Sequence, residues 1–243
     1  MNILEHLQPT TVVPLHLLGF DVSLTNSALT GLLAATIVVL FFYVVSRRAK
    51  PVPSLSQNAA EILVQFVRDE MLAPLGKEGE SWLPFLVSLF SFILACNLLG
   101  LIPGLLPPTS NLNFTATLAI IVFLIVQTAG IVKHGVGGYL RAIVPPGLPW
   151  PVAAFLFPVE IIGQLARPFS LAVRLFANMF AGHAIILMLI SLIFIFHNHF
   201  VIPLPVLGNV MILAFEIFVS LIQAFIFTYL SASYIVGALQ TEH

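Results

Sequence analysis

Charged residues are scarce in this sequence. Asp, Glu, Lys and Arg together account for 8% of the 243 residues, whereas about a quarter is usual in soluble proteins. Hydrophobic residues reach 59%, and the mean hydropathy is +1.07. A membrane-spanning helix needs roughly 20 mainly apolar residues, and several such windows are present. The composition therefore predicts an all-α, polytopic membrane protein with a single membrane domain over residues 1–243.

Several functional motifs are absent as well. The sequence has no G-x-x-x-x-G-K-[ST] phosphate loop, no H-E-x-x-H pattern and no Ser/His/Asp arrangement, so we expect no catalytic chemistry, no metal and no cofactor in this chain. The Lys and Arg residues are spread along the chain and do not form the basic face that nucleic acid requires. The single cysteine, Cys96, excludes an internal disulfide. No internal repeat is visible, although inverted repeats are common in secondary transporters.

Five membrane crossings and one interfacial helix are predicted. The first crossing, at 27–46, carries no charge. The segment at 55–73 has apolar residues on one side and polar residues on the other, which is typical of an amphipathic helix at the membrane interface. Two further crossings are expected at 82–102 and 115–133, followed by a hairpin of long helices at 150–196 and 203–239. At 1.5 Å per residue these last helices exceed a hydrocarbon core of ~30 Å, so we expect them to tilt strongly or bend.

The positions of the cations predict the orientation. Seven of the nine Lys and Arg residues fall in two loops: Arg47, Arg48, Lys50, Arg68 and Lys77 in one, Lys133 and Arg141 in the other. Cationic loops stay in the cytoplasm, so the N-terminus is expected outside and the C-terminus inside. The N-terminal segment lacks the pattern of a signal peptide or a transit peptide. These features favour the plasma (inner) membrane of a bacterium, with an organelle inner membrane as the alternative.

The two remaining cations, Arg167 and Arg174, lie within the fourth crossing. A charge at the bilayer centre costs about 2.5–3.5 kcal/mol, so such residues usually mark an ion route. Arg167, beside a proline, could instead snorkel towards a helix end. Arg174 is followed by a charge-free stretch from 175 to 215, and Ser170 and Asn178 flank it on the same helix face. A carboxylate from another chain is the expected partner of Arg174, and pairing with Glu160 is the alternative.

The hairpin predicts a second group of polar residues. If the last two helices run antiparallel about residues 200 and 201, facing residues have numbers that sum to about 401. His183 then lies within about one turn of Glu216, and Gln223, seven residues after Glu216, shares its helix face. An imidazole and a carboxylate within reach can pass protons. A proton relay is the functional interpretation, and a hydrogen-bonded pair that joins two helices is the alternative.

Other polar residues carry weaker signals. His197 and His199 form an H-x-H pair in the outer turn, but two ligands alone are weak evidence for a metal, and solvated turn histidines are commoner. Asn97 and Gln127 lie inside predicted helices. Such amides more often bridge helices than line a path.

Three stretches of the sequence resemble the a subunit of F-type ATP synthases. They are LARPFSLAVRLFANMFAGH at 165–183, EIFVSLIQAFIFTYLSASYI at 216–235 and NLLGLIPG at 97–104. They carry an arginine, an asparagine and a glutamine in the order of that family. The likeness in hydropathy and topology extends over the whole chain.

The resemblance implies a function for most of these residues. Arg174 would be the stator arginine that faces a ring of c subunits, each with a membrane carboxylate, and Gln223 would stand beside it. Glu216, His183 and Asn178 would line an aqueous half-channel to the outside, and two residues, Ser170 and Glu160, are candidates near the cytoplasmic exit. The family also implies b subunits of the peripheral stalk and the rest of the ATP synthase complex as partners, besides the lipid bilayer.

The resemblance leaves the proton order, the ion and one alternative function open. One branch of the family has Glu at the position of His183 and His at the position of Glu216, so which of the two takes the proton first is undecided. Selectivity for H⁺ or Na⁺ depends on the ring. A stand-alone ion channel or secondary transporter is the alternative function, but the sequence lacks the repeats and the broken helices that such a transporter would need.

Overall fold

The computed structural model describes residues 10–14, 16–17, 20–21, 23–102, 104–142, 149–196 and 203–240. Six α-helices dominate it: α1 (Asn26–Arg47), α2 (Leu55–Phe66), α3 (Leu83–Gly100), α4 (Leu112–Ala142), α5 (Trp150–Phe196) and α6 (Pro203–Leu239). Within the described residues, five helical segments are long and apolar enough to cross a membrane: Asn26–Arg47, Gly79–Gly100, Leu112–Tyr139, Trp150–Leu192 and Pro203–Leu239. The all-α polytopic class is thereby confirmed.

Short strands precede the first helix, a feature that the hydropathy pattern does not indicate. β1 (Thr11–Val13) pairs antiparallel with β4 (Leu24–Thr25), and β2 (His16–Leu17) pairs with β3 (Phe20–Asp21). The backbone after β4 turns directly into α1, where the Thr25 side chain accepts a hydrogen bond from the Ala28 amide. This N-cap satisfies one of the amides that the first helical turn leaves without a backbone partner.

The chain forms two compact units. The first consists of Met1–Ala49, Ser91–Thr115 and Arg174–Phe225, and the second of Lys50–Phe90, Ala116–Val173 and Ile226–His243. Each unit contains segments that are distant in sequence, because the long helices α5 and α6 each contribute to both.

In the first unit, a buried amide joins three elements. The Asn97 side chain is 0% exposed; its Oδ1 accepts a hydrogen bond from Thr109 Oγ1 at 2.8 Å, and its Nδ2 donates to the Ser220 carbonyl at 3.4 Å. Thr109 belongs to a short 3₁₀ turn, Pro108–Ser110, between α3 and α4. The expectation that Asn97 bridges helices is confirmed, since a buried amide needs such partners.

The second unit holds the amphipathic segment. After α2 the chain continues through a π-helical turn, Val67–Leu72, in which Val67, Met71 and Leu72 are buried while Arg68 is exposed. A Cβ on Gly79 would lie 2.7 Å from Leu72 Cδ2 and 3.0 Å from Val236 Cγ2. A side chain at this position would force Leu72 or Val236 to shift, so the end of α6 packs closely on this segment.

A sharp bend interrupts α4 near its end. Gly135 has φ 70° and ψ 161°, a combination that essentially only glycine adopts. The chain after it folds back, so that the Tyr139 ring packs against Gly130 and the Tyr139 hydroxyl donates to Gln127 Oε1 at 2.9 Å. In a straight helix the twelve residues from 127 to 139 would span about 18 Å. The bend at Gly135 therefore makes the contact between Tyr139 and Gln127.

Replacing Gly135 by Ala tests the bend. The substitution should cost about 1–3 kcal/mol, because a side chain is strained in this backbone conformation, and it should lower the thermal unfolding midpoint in mild detergent by several degrees. Gly137→Ala is the matched control, since a Cβ at Gly137 meets nothing within 4 Å. Equal midpoints for the two variants would contradict this account of the bend.

Candidate functional site

The first unit contains a polar contact between the two long helices. Asn178 Nδ2 on α5 donates to Gln223 Oε1 on α6 at 2.7 Å. The two numbers sum to 401, so the antiparallel register expected for the hairpin is confirmed at this pair. Gln223 is 1% exposed, whereas Asn178 is exposed. Through this hydrogen bond, the buried amide of Gln223 contacts a side chain on the exposed face of α5.

Glu216 lies in the same unit and is 6% exposed. Its carboxylate fills the space that a side chain at Gly182 would occupy, so the two residues are in direct contact. No hydrogen-bonding group of the described residues reaches Glu216 Oε2. A buried carboxylate oxygen without a protein partner is costly when it is charged. Binding a proton removes that cost, so this oxygen is suited to taking one up.

Two further residues extend this polar face of α6. Asn209 Oδ1 and Ser220 Oγ are also buried without a hydrogen bond from a described residue. Their spacing from Glu216, seven residues before and four after, places all three on one side of the helix. Asn209 and Ser220 are not among the predicted site residues. The sequence does carry a signal for them, because Asn209, Glu216, Ser220 and Gln223 are spaced by seven, four and three residues, which is one face of a helix.

His183 follows Gly182 and is half-buried. The predicted hairpin register brings it near Glu216, but the residue that contacts Glu216 is Gly182. Within the described residues no hydrogen bond joins the His183 ring to the carboxylate, because consecutive helical residues point about 100° apart. A proton relay between them stays a prediction, and it would need water or a side-chain rotation.

Arg174 is the first residue of the part of α5 that belongs to the first unit. Its side chain is exposed, and none of the acidic side chains that the structure describes forms an ion pair with it. Ala177, Asn178 and Ala181 are exposed after it along the same helix. Small residues let a neighbouring helix approach closely. The surface around Arg174 is thus suited to a helix from another chain.

The other two charged residues of α5, Glu160 and Arg167, belong to the second unit. Arg167 lies 3.7 Å from Glu160, and its guanidinium stands 5.1 Å from the centre of the Tyr234 ring. The alternative pairing of Glu160 with Arg174 is therefore not what the structure has. The i, i+7 spacing places Glu160 and Arg167 on one helix face. Ser170, in the same unit, is exposed.

Gln127 also lies in the second unit. Its Nε2 donates to Gln164 Oε1 at 3.4 Å, so it bridges α4 and α5 as expected. Sequence reasoning missed Gln164, Tyr139 and Tyr234, which surround this amide and Arg167. The histidines at 197 and 199 lie outside the described residues. The part of the chain that the structure describes contains no cluster of three or more metal-binding side chains.

Comparison with known proteins gives a consistent result. The family model described as "ATP synthase A chain" matches residues 28–236. ATP synthase subunit a of Chloroherpeton thalassium is 41% identical over 232 residues, which cover 92% of this chain and 69% of the relative. ATP synthase subunit a 2 of Prosthecochloris aestuarii is 42% identical, covering 93% and 71%. ATP synthase subunit a of Magnetococcus marinus is 41% identical, covering 98% and 93%.

A substitution at Gly182 tests its contact with Glu216. Gly182→Ala should lower stability by about 1–3 kcal/mol, because the added methyl group overlaps the carboxylate. Combining it with Glu216→Ala, which vacates that space, should remove most of this cost in thermal unfolding. Gly163→Ala on the same helix is the control, since a Cβ there meets nothing within 4 Å. Strictly additive effects of the two substitutions would show that the contact is not real.

Proposed function

The chain belongs to the ATP synthase A chain family, and on that premise we propose that it is the proton-translocating stator subunit a of an F-type ATP synthase. It couples the flow of protons to the rotation of a ring of c subunits, and it contributes no catalytic chemistry of its own. The alternative of a stand-alone channel or transporter is not favoured, because relatives that align with most of the chain are named as ATP synthase subunits.

The observation that carries this proposal is the exposed Arg174. A guanidinium keeps its charge at all accessible pH values, and a charge in an apolar helix requires a partner or water. No described acid of this chain pairs with it, and the neighbouring Ala177 and Ala181 leave room for a helix. A carboxylate on each passing c subunit supplies the partner. Arg174 favours the ionised form of that carboxylate and, by its charge, blocks a direct proton leak.

The outer half-path runs through the polar residues of the first unit. A proton from outside passes His183 and Glu216 and reaches the ring carboxylate near Asn178 and Gln223. Support comes from the Asn178–Gln223 hydrogen bond and from the unpaired Glu216 oxygen. Each proton that crosses 100 mV releases about 2.3 kcal/mol, so several are needed for each ATP.

The inner half-path involves Glu160 and Ser170 of the second unit. Their side is cytoplasmic, because the cationic loops remain in the cytoplasm, with the N-terminus outside and the membrane the inner membrane of a bacterium. The relatives compared above are bacterial proteins. Besides the ring, b subunits of the peripheral stalk and the remainder of the ATP synthase are the expected partners.

Replacing Arg174 by Ala tests the function directly. In inverted membrane vesicles that carry the whole complex, Arg174→Ala should abolish ATP synthesis and allow a passive proton leak. Without the guanidinium, no positive charge favours deprotonation of the ring carboxylate, and none repels a proton that passes directly from one half-path to the other. Arg68→Ala, at an exposed arginine of the second unit, is the control and should retain coupling. Normal coupling in Arg174→Ala would refute the proposal.

Replacing Glu216 by Gln separates proton supply from leak prevention. Glu216→Gln keeps the shape of the side chain but cannot bind and release a proton, so ATP-driven pumping should fall by at least about tenfold. Because Arg174 is intact, passive conductance of the vesicles should not rise. Pumping at the wild-type rate would exclude Glu216 from the path.

A further inference from the structure

The C-terminal end of α1 carries two arginines that neither half-path involves. Arg47 is the last residue of the helix and Arg48 is its C-cap, and both side chains are exposed. None of the acidic side chains that the structure describes forms an ion pair with either of them. The sequence from 22 to 60 contains no Asp or Glu, so no acid close in sequence can neutralise them. Two positive charges thus stand together without a counter-charge from the described residues.

An aromatic ring holds one of these guanidinium groups in place. Arg47 Cζ lies 5.1 Å from the centre of the Tyr43 ring, one helical turn earlier on the same face. This cation–π contact uses the face of the guanidinium and leaves the N–H groups at its edge for a ligand. Paired N–H groups of an arginine match two oxygens of a phosphate. Arg47 is therefore oriented to bind a phosphate group, with Arg48 next to it.

The C-terminus of a helix opposes anion binding, but here the opposition is weak. The last carbonyls of a helix carry about half a negative elementary charge. The Arg48 amide donates to the Val44 and Val45 carbonyls at 3.1 and 3.2 Å, which satisfies two of these groups. Against two full positive charges, the helix end still leaves a net charge of about +1.5. The balance favours an anionic ligand.

An apolar stripe leads along α1 to these arginines. It consists of Leu33, Ile37, Leu40 and Val44, all of which are exposed. Their spacing of four, three and four residues places them on one side of the helix, the side of Arg47. Leu33 and Val44 are separated by about 16 Å along the helix, which is half of a hydrocarbon core of ~30 Å. The stripe therefore has the depth of one lipid leaflet and ends in positive charge.

The side chains of this stripe suit lipid better than a neighbouring helix. Helices that pack together in a membrane meet through small residues. In α1 the small residues Ser27, Gly31 and Ala34 are buried. A Cβ at Gly31 would lie 3.4 Å from side-chain atoms of Phe114 and Pro108, so this face packs against the chain itself. The exposed stripe contains Leu, Ile and Val instead, and its expected occupant is a hydrocarbon chain.

We propose that the end of α1 binds one anionic phospholipid. Its phosphate lies on Arg47 and Arg48, and an acyl chain lies along the stripe from Val44 to Leu33. Tyr43 is a positioning residue that holds the Arg47 guanidinium at the headgroup. The proposal is independent of the proposed function, because neither half-path contains these residues.

Photocrosslinking in the intact complex tests this site. The complex is reconstituted into phosphatidylcholine vesicles that contain a minor fraction of a phosphatidylglycerol with a diazirine at the start of one acyl chain, or of the matching phosphatidylcholine probe. After irradiation, mass spectrometry measures the adducts on residues 33–48. The phosphatidylglycerol probe should label this segment at least about fivefold more than the phosphatidylcholine probe, because each arginine near the membrane surface favours an anionic lipid by about that factor.

Three sets of variants connect this preference to the named residues. Arg47→Gln combined with Arg48→Gln should abolish it, so that both probes label equally. Arg68→Gln, at an exposed arginine of the second unit, is the matched control and should leave it unchanged. Tyr43→Leu should lower the preference at least about twofold, whereas Tyr43→Phe, which keeps the ring, should retain it. An unchanged preference in the double variant would overturn the proposal.

The unmodified complex decides the question even if a variant fails to assemble. Equal labelling by the two probes would overturn the proposal. A lack of adducts on 33–48 with both probes would show that a helix of another subunit covers the stripe, and it would overturn the proposal as well. Glycerol phosphate added in excess should leave the preference intact. Loss of the preference under that competition would assign the arginines to a soluble phosphate compound and reject the lipid.

Discussion

The cost of a permanent charge within an apolar helix governs this structure. Arg174 lies in α5, and the next charged residue along the chain is Glu216 in α6. The Arg174 side chain is exposed beside the small residues Ala177 and Ala181. Burial of an unpaired cation inside the chain would cost several kcal/mol. The protein instead presents the arginine outwards, where a partner in the membrane with the opposite charge can reach it. In the proposed function, that partner is a ring of c subunits with repeating carboxylates.

The remaining polar residues are divided between the two units. In the first, Glu216, Ser220 and Asn209 have buried oxygens that no described residue satisfies, and the buried amide of Gln223 is joined to the exposed Asn178. In the second, Arg167 is satisfied inside the chain by Glu160 and Tyr234. The two arginines of α5 thus differ: Arg167 has an acidic and an aromatic neighbour within its own unit, whereas no described acid pairs with the exposed Arg174. The proposed function needs an arginine of the second kind, which is free to pair with a carboxylate of another chain.

Much of this was readable from the sequence because it depends on helical periodicity. The fold class and the number of crossings follow from hydropathy, and the facing of Asn178 and Gln223 follows from the length of the hairpin. The contact of Glu216 with Gly182, in place of His183, depends on side-chain direction to within one residue, which the hairpin register does not determine. Tyr139 was missed for another reason: it joins Gln127 only through the positive φ of Gly135, a backbone reversal inside a segment that hydropathy describes as continuous. The strands before α1 are too short to produce a periodic signal.

The central claim is that Arg174 pairs with a carboxylate that another chain supplies. The most direct test is an experimental structure of the intact ATP synthase at a resolution that places side chains, with the distance measured from the Arg174 guanidinium to the nearest ring carboxylate. We expect this distance to be within about 4 Å, or bridged by one water, for the c subunit that faces α5. An Arg174 side chain that points into lipid, or that is paired with an acid of its own chain while the ring carboxylates lie elsewhere, would contradict the account.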